Sequence, residues 1–210
     1  MTDVVDMSAV SSREGRDIAT LHLAVCRRFS DPVSLGAGKW DRPTPCQSWD
    51  ARAVVEHVIG FHDMLLRPLG LKPDRPRGDP RRRWELTVDR VREAFARDGL
   101  FGRLIAIPAV GTSPATQLDA TYLVPRLTQD VLVHTWDLAR AVEADDRLDP
   151  GWCAMFLSRL PTNRNALTGT GMFAAPIVVD DDADIQSRLL AALGRDPSWQ
   201  PGTPAPSGQL

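Results

Sequence analysis

The stretch Thr128-Gln-Asp-Val-Leu-Val-His-Thr-Trp-Asp-Leu-Ala-Arg140 holds the side chains best placed to do chemistry. Its apolar positions Leu127, Val131, Leu138 and Ala141 recur at helical spacing and define one face. His134 falls inside that stripe, with Asp130 one turn before it and Asp137 one turn after, both near the stripe's edge. A carboxylate buried without a partner is costly enough that it pairs, protonates or binds a cation. An Asp-x-x-x-His pair on one helix face can give two ligands to one metal ion, as paired histidines do at the same spacing. The pair also fits a purely structural reading, with Asp130 accepting from His134 or from a nearby arginine. A third ligand from another element decides between the two.

The elements that must position such a ligand follow from periodicity and punctuation. A first helix is expected over about residues 9–36, with Ile18, Leu21, Ala24 and Val25 at helical spacing. His22, between Leu21 and Leu23, carries no mark of a ligand. Gly38 to Asp50 is a loop by its prolines and polar residues, and Ser48 or Asp50 is the expected N-cap of a second helix, about 50–67. There Val54, Val58, Phe61 and Leu65 form the apolar stripe, and His57 lies at its edge. His62 points roughly 140° away from His57, so the two cannot address one site. His57 is the better ligand candidate, and His62 is expected at the surface or in a supporting role.

Arg67 to Arg83 is rich in Pro, Gly and Arg; with Asp74 and Asp79 interspersed and no aromatic residues, a solvated loop is expected rather than a phosphate or nucleic-acid contact. A third helix at about 80–98 stops at Gly99. Leu104 to Val110 is a short strand or simply extended, and the helix bearing Asp130 and His134 runs from about 119 to 143. A turn, Asp145 to Pro150, leads to a short helix over 151–160 ended by Pro161. Gly169 to Val179 reads as extended, and Asp180-Asp-Asp as the cap of a last helix at about 183–193. The expected division is a metal-binding bundle over 1–165, an extended segment and helix packed on it over 166–199, and a disordered tail over 200–210. Four long amphipathic helices with short extended insertions make an all-α, antiparallel four-helix bundle with a small C-terminal helical appendage the natural class.

Composition narrows the partners. The chain has 210 residues, 43 % hydrophobic, with a net charge of −2, and its pI is about 6.1. No bulk attraction to nucleic acid or to an anionic membrane is expected. No apolar run is long enough to span a bilayer. Met1 to Met7 lacks the basic and apolar regions of a signal peptide. Cys26, Cys46 and Cys153 are odd in number and widely spaced, which argues against a disulfide framework and fits a reducing cytoplasm. Cys46 reads as a small hydrophobe rather than a reactive thiol. Trp40, Trp49 and Trp136 are core residues or walls of a substrate cleft.

Bundle cores build metal sites from residues on facing helices. His57 with Asp130 and His134 forms such a set. Two imidazoles and one carboxylate leave coordination positions open, the mark of a catalytic rather than a structural zinc-type site. Asp137 is placed to orient an imidazole through its other nitrogen.

Trp40-x-x-Pro-Thr-Pro-Cys-x-x-Trp49, Val55-Glu-His57, Asp130-Val-Leu-Val-His-Thr-Trp-Asp-Leu-Ala139 and Leu189-x-x-x-Leu-Gly-Arg-Asp-Pro-x-Trp199 together resemble the actinobacterial branch of the DinB/YfiT-like metalloenzymes. That branch is related to the metal-binding N-terminal domain of mycothiol-dependent maleylpyruvate isomerase. The resemblance implies a four-helix bundle with a long crossover. It also implies a divalent metal held by His57, Asp130 and His134, with zinc the first choice and nickel or iron as alternatives. Mycothiol is the implied thiol cosubstrate. The isomerase has glutamate where this chain has Asp130, and a substantial C-terminal domain that contributes to its active site. Only about fifty residues follow Leu160 here, which argues against maleylpyruvate isomerisation itself.

The leading expectation is a mycothiol-dependent metalloenzyme performing transfer, conjugation or isomerisation on a small electrophile, in the cytoplasm, as a monomer or a homodimer. No residue stands out as general acid or base. The alternatives are a non-catalytic metal- or ligand-binding bundle, and a hydrolase using metal-bound water.

Overall fold

A computed structural model describes residues 7–46, 49–109, 114–161 and 174–202. The elements are α1 (Met7–Ser34), α2 (Ala51–Leu66), α3 (Pro80–Phe95), β1 (Leu104–Ile107), β2 (Thr116–Asp119), α4 (Ala120–Val142), α5 (Pro150–Arg159) and α6 (Ile185–Ala192). The fold is mostly helical, and its one described sheet is the antiparallel hairpin β1–β2, with Leu104 opposite Asp119 and Ile107 opposite Thr116.

Aspartates start the helices. Asp50, Asp79, Asp119, Asp149 and Asp184 each accept a hydrogen bond from a backbone N–H in the first turn of α2 to α6, satisfying a donor the helix itself leaves unpaired. Asp184 replaces the expected cap at Asp180 to Asp182: its carboxylate takes both the backbone N–H and the hydroxyl of Ser187, at 3.0 and 2.6 Å. Those earlier aspartates lie in the turn and coil ahead of the helix.

α1 packs on α4 and α3, and α2 packs on the same two helices. The order around the bundle is therefore α1-α4-α2-α3, with α1 and α2 across one diagonal and α3 and α4 across the other. The α1–α2 connection must cross one end of the bundle, and the segment carrying the hairpin crosses the other. The first crossing is pinned to the C-terminal end of α4: Lys39 donates to the carbonyl of Val142, and Arg42 reaches the Glu143 carboxylate at 2.5 Å. Cations are favourable there because the last carbonyls of a helix carry partial negative charge. Gly36 completes the turn, since a Cβ on it would lie 2.3 Å from the Trp40 ring.

The core has two parts. One gathers Phe29, Val58, Trp84, Leu132 and Trp136 with Leu189, Leu190 and Leu193 of the C-terminal segment. The other joins Leu65, Val91, Leu123 and Leu127 to the hairpin's Ile105 and Ile107. From Leu127 to Val142 nearly every residue of α4 is buried, so it is the central helix rather than a one-sided amphipathic one. No described helix is long and apolar enough to cross a membrane.

Two expectations from the sequence are corrected here. His62 is fully buried rather than at the surface, because α2 is covered by α3 and α4 on two sides. Arg75 is not part of a solvated loop: its side chain is 4 % exposed and forks onto the Asp63 carboxylate at 2.8 and 3.1 Å. Asp63 is itself buried, and Arg75 also donates to Thr87 of α3 at 2.9 Å. Removing one partner of a buried pair leaves the other charge uncompensated. Arg75→Met is expected to destabilise the fold by about 3 kcal/mol, read from the urea midpoint, and Asp63→Leu added to it should recover most of that loss. An unchanged midpoint for Arg75→Met would show that Lys72 and Arg67, 3.7 and 3.9 Å from Asp63, take over the charge.

Candidate metal centre

Asp130 and His134 stand one turn apart on α4, and His57 reaches them from α2. His57 Nε2 lies 3.1 Å from Asp130 Oδ1, and His134 Nε2 lies 3.5 Å from the same oxygen. The imidazole rings meet edge to face with centroids 4.8 Å apart. One donor atom from each residue falls within 4.8 Å of the others. The structure thus brings together the three residues singled out by spacing. Asp130 Oδ2 is buried and has no hydrogen-bond partner among the described residues. Oδ1 of the same carboxylate is the oxygen that faces both imidazoles, and a buried carboxylate oxygen with no donor is costly unless a cation or a proton meets it.

The supporting contacts are directional. His134 Nδ1 lies 2.8 Å from Asp137 Oδ2, so the Nδ1 proton is donated to that carboxylate and Nε2 is turned toward Asp130. Asp137 is fully buried and is held in turn by Arg195, whose guanidinium donates to the same oxygen at 3.1 Å. Gly194 sets that arginine on its course. It has φ +77°, and a Cβ there would strike Ala174 at 2.7 Å.

Trp49 roofs the set, its ring 4.6 Å from that of His57 and stacked at 5.6 Å on that of His134. Phe61 stacks on the far side of His57 at 5.6 Å. Trp49 is therefore a wall of the site, whereas Trp136 is fully buried core and Trp40 packs against that core. The His57 side chain is 31 % exposed against 5 % for His134, so the site opens to solvent past His57.

Electrostatics follow the contacts. Burial disfavours charge on His134, but Asp130 and Asp137 on either side outweigh it and raise its pKa to about 9. Burial likewise works against the Asp130 carboxylate, yet His134 and His57 hold its pKa well below the usual range. Asp137 is lowered too, with Arg195 the strongest force against its burial. Cys46 lies 3.8 Å from Arg195. Burial and the charges of Asp137 and Asp130 push its thiol up to about 11 despite that arginine, which makes it an inert side chain at neutral pH.

Arg195 is the site residue that spacing could not find, although the motif Leu-Gly-Arg-Asp-Pro around it stands out in the sequence. Its contact spans 58 residues, and no local pattern announces it. His22 and His62 lie together elsewhere in the core, away from this set.

Residues 22–82 match the family model described as the mycothiol maleylpyruvate isomerase N-terminal domain. Over that segment the chain is similar to this domain family. The matched segment contains His57 but stops short of Asp130 and His134. Two uncharacterized proteins from two strains of Mycobacterium tuberculosis are each 30 % identical over 118 residues, which is 56 % of this chain and 63 % of the relative. The chain thus spans under two thirds of the length of the curated relatives it matches. No solved structure matches the chain.

The raised pKa of His134 fixes a pH dependence. A group that holds its proton more tightly when folded stabilises the fold fully below its unfolded pKa of about 6.5, and that stabilisation is lost as pH rises through the folded value. Between pH 6.5 and 9.5, chelator-treated protein is expected to lose on the order of 3 kcal/mol, measured by urea unfolding. His134→Gln should flatten the profile. A wild-type profile already flat over this range would show that His134 is neutral without metal.

Proposed function

We propose that the protein binds a divalent metal ion through His57, Asp130 and His134 and uses it, with mycothiol, to act on a small electrophile. The observation that carries the metal reading is the Asp130 carboxylate, whose Oδ1 faces two imidazoles and whose Oδ2 is buried without a partner among the described residues. The thiol reading rests on the match of residues 22–82 to the mycothiol isomerase domain. Zinc suits a donor set of two nitrogens and one oxygen with open positions, and nickel or iron are the alternatives to it.

A divalent ion in such a site lowers the pKa of a coordinated thiol enough to make it a thiolate at neutral pH. The chain's own residues set the conditions for this. Asp137 keeps one proton of His134 on Nδ1, so that Nε2 is the nitrogen that would ligate once its own proton leaves. Arg195 balances the Asp137 charge, so that the negative charge left at the centre is that of Asp130. Trp49 and Phe61 shield the imidazoles with apolar rings, and the exposed edge of His57 marks the side from which a small molecule approaches.

Metal competes with the proton on His134 Nε2. With its pKa near 9, apparent affinity should rise about tenfold per pH unit from pH 7 toward 9 and then level off.

At about 100-fold its dissociation constant, a metal that binds only the folded state adds roughly 2.7 kcal/mol. That is a melting shift on the order of 5–10 °C for a chain of this size. His57→Ala and His134→Ala should each abolish the part of the shift that belongs to this centre. Asp130→Asn should weaken metal and activity together, and Asp130→Glu should keep the metal. Asp137→Asn and Arg195→Met should retain most of the metal while changing the rate.

The deciding assay follows a panel of haloaromatics, epoxides and unsaturated acids with mycothiol, comparing wild type and Asp130→Asn at matched metal occupancy near pH 7.5. Faster turnover by the metal-loaded wild type is the expected result. Equal turnover by apo and loaded protein overturns the enzyme reading and leaves a metal-binding bundle, and turnover of esters or amides without thiol replaces it with a hydrolase.

A further inference from the structure

A second cluster of ligating side chains lies across the diagonal of the bundle. His22 and Cys26, one turn apart on α1, meet His62 of α2, and all three are fully buried. The two Nε2 atoms are 3.1 Å apart. Cys26 Sγ lies 3.4 Å from His22 Nε2 and 3.9 Å from His62 Nε2.

The tautomer of His62 is fixed by its other nitrogen, and that of His22 by the turn of one hydroxyl. His62 Nδ1 is 2.7 Å from the carbonyl of Val58, which can only accept, so Nδ1 carries the proton. His22 Nδ1 is 2.9 Å from Thr128 Oγ1. When that hydroxyl gives its proton to the carbonyl of Val124, 2.7 Å away, it accepts from His22 Nδ1. With the hydroxyl turned that way each neutral imidazole presents an unprotonated Nε2, and two lone pairs face each other at 3.1 Å inside the core. The Cys26 thiol has one proton and can satisfy only one of them. Protonating a ring is opposed by burial, which holds both histidines below their ordinary pKa.

We propose that His22, Cys26 and His62 form a second metal site, distinct from the centre at Asp130, that holds a soft monovalent d10 cation of the Cu+ type. Three donors with bonds of about 2.0–2.3 Å to one ion in a plane lie roughly 3.4–3.7 Å apart. The observed separations of 3.1, 3.4 and 3.9 Å bracket that spacing. Two imidazoles and a thiolate suit a soft ion. Charge selects its valence: one thiolate and one monovalent ion make a neutral complex, whereas a divalent ion leaves a net positive charge among the rings of Phe95 and Trp84. Binding forms one metal–sulfur and two metal–nitrogen bonds and releases the Cys26 thiol proton to solvent. The hydrogen bonds to Thr128 and Val58 already orient the rings for it, as outer partners do for ligating histidines.

The site ties α1 to α2 directly, the two helices that otherwise face each other only across the bundle. It rests on none of the residues of the first centre, so the two can fail separately. The test uses full-length protein carrying Cys46→Ser and Cys153→Ser, which leaves Cys26 as the one thiol of the three cysteines. Under anaerobic conditions Cu+ is titrated in competition with a chromophoric Cu+ chelator, with Co2+ as the divalent arm. One equivalent of Cu+ held against the chelator is expected, with thiolate-to-metal absorption in the ultraviolet. Cys26→Ala and His62→Gln should lower the affinity at least tenfold, and His57→Ala should leave it unchanged. Thr128→Val keeps all three ligands and should weaken binding about tenfold, which covers the case in which a ligand variant does not fold. A thiolate band with Co2+ and none with Cu+ overturns the monovalent assignment. No thiolate band with either ion, or full Cu+ retention in folded Cys26→Ala, overturns the site.

Discussion

Two carboxylates are withdrawn from water on the central helix, Asp137 completely and Asp130 to 11 % exposure, and the rest of the architecture answers to that. Water would solvate each of them far better than the core does. Burial is sustained because cations and donors reach them from three separate parts of the chain. His134 sits between the two on the same helix, His57 comes from α2, and Arg195 comes from the segment after α6. The last of these contacts explains why the C-terminal segment shares the bundle's core. Without Arg195, Asp137 would face His134 alone, and without Asp137, His134 would be free to turn its other nitrogen away from Asp130.

α2 and α4 between them serve two clusters at once. α2 sends His57 to one and His62 to the other, five residues and more than a third of a turn apart. α4 sends Asp130 and His134 to the first and the hydroxyl of Thr128 to the second. This is possible because α4 is buried nearly all round from Leu127 to Val142, so most polar side chains there must be matched in whichever direction they point. The same reasoning applies to Asp63 on α2, which is answered by Arg75.

Much of this was legible in the sequence, and the parts that were not share a cause. Asp130, His134 and Asp137 announce themselves because helical spacing is a local rule. His57 is found because it lies at the edge of an apolar stripe rather than in its middle. His62 was misplaced: helical geometry showed that it cannot join His57, but not that α2 is buried on more than one side. His22 offered no signal because a histidine among leucines looks the same whether it fills space or binds. Arg75 and Arg195 sit in stretches that read as punctuation, rich in proline or glycine, yet each carries a buried charge pair. Their partners are 12 and 58 residues away, and the pairing is decided by tertiary burial, which periodicity does not encode.

The aspartate at position 130, where the resembling isomerase has glutamate, also finds its explanation in packing. A shorter arm matters only if the carboxylate must travel to reach the imidazoles. Here Asp130 Oδ1 already lies 3.1 Å from His57 Nε2 and 3.5 Å from His134 Nε2. Two ligands about 2.1 Å from one ion, at angles between square and tetrahedral, are separated by roughly 3.0–3.4 Å. The separations of Asp130 from the two imidazoles thus lie near ligand spacing. A glutamate at 130 would carry its carboxylate one methylene further from the helix. It would reach the same ion only by folding its side chain back. The shorter residue suits a centre in which α2 and α4 approach closely enough for the backbone itself to set the distance.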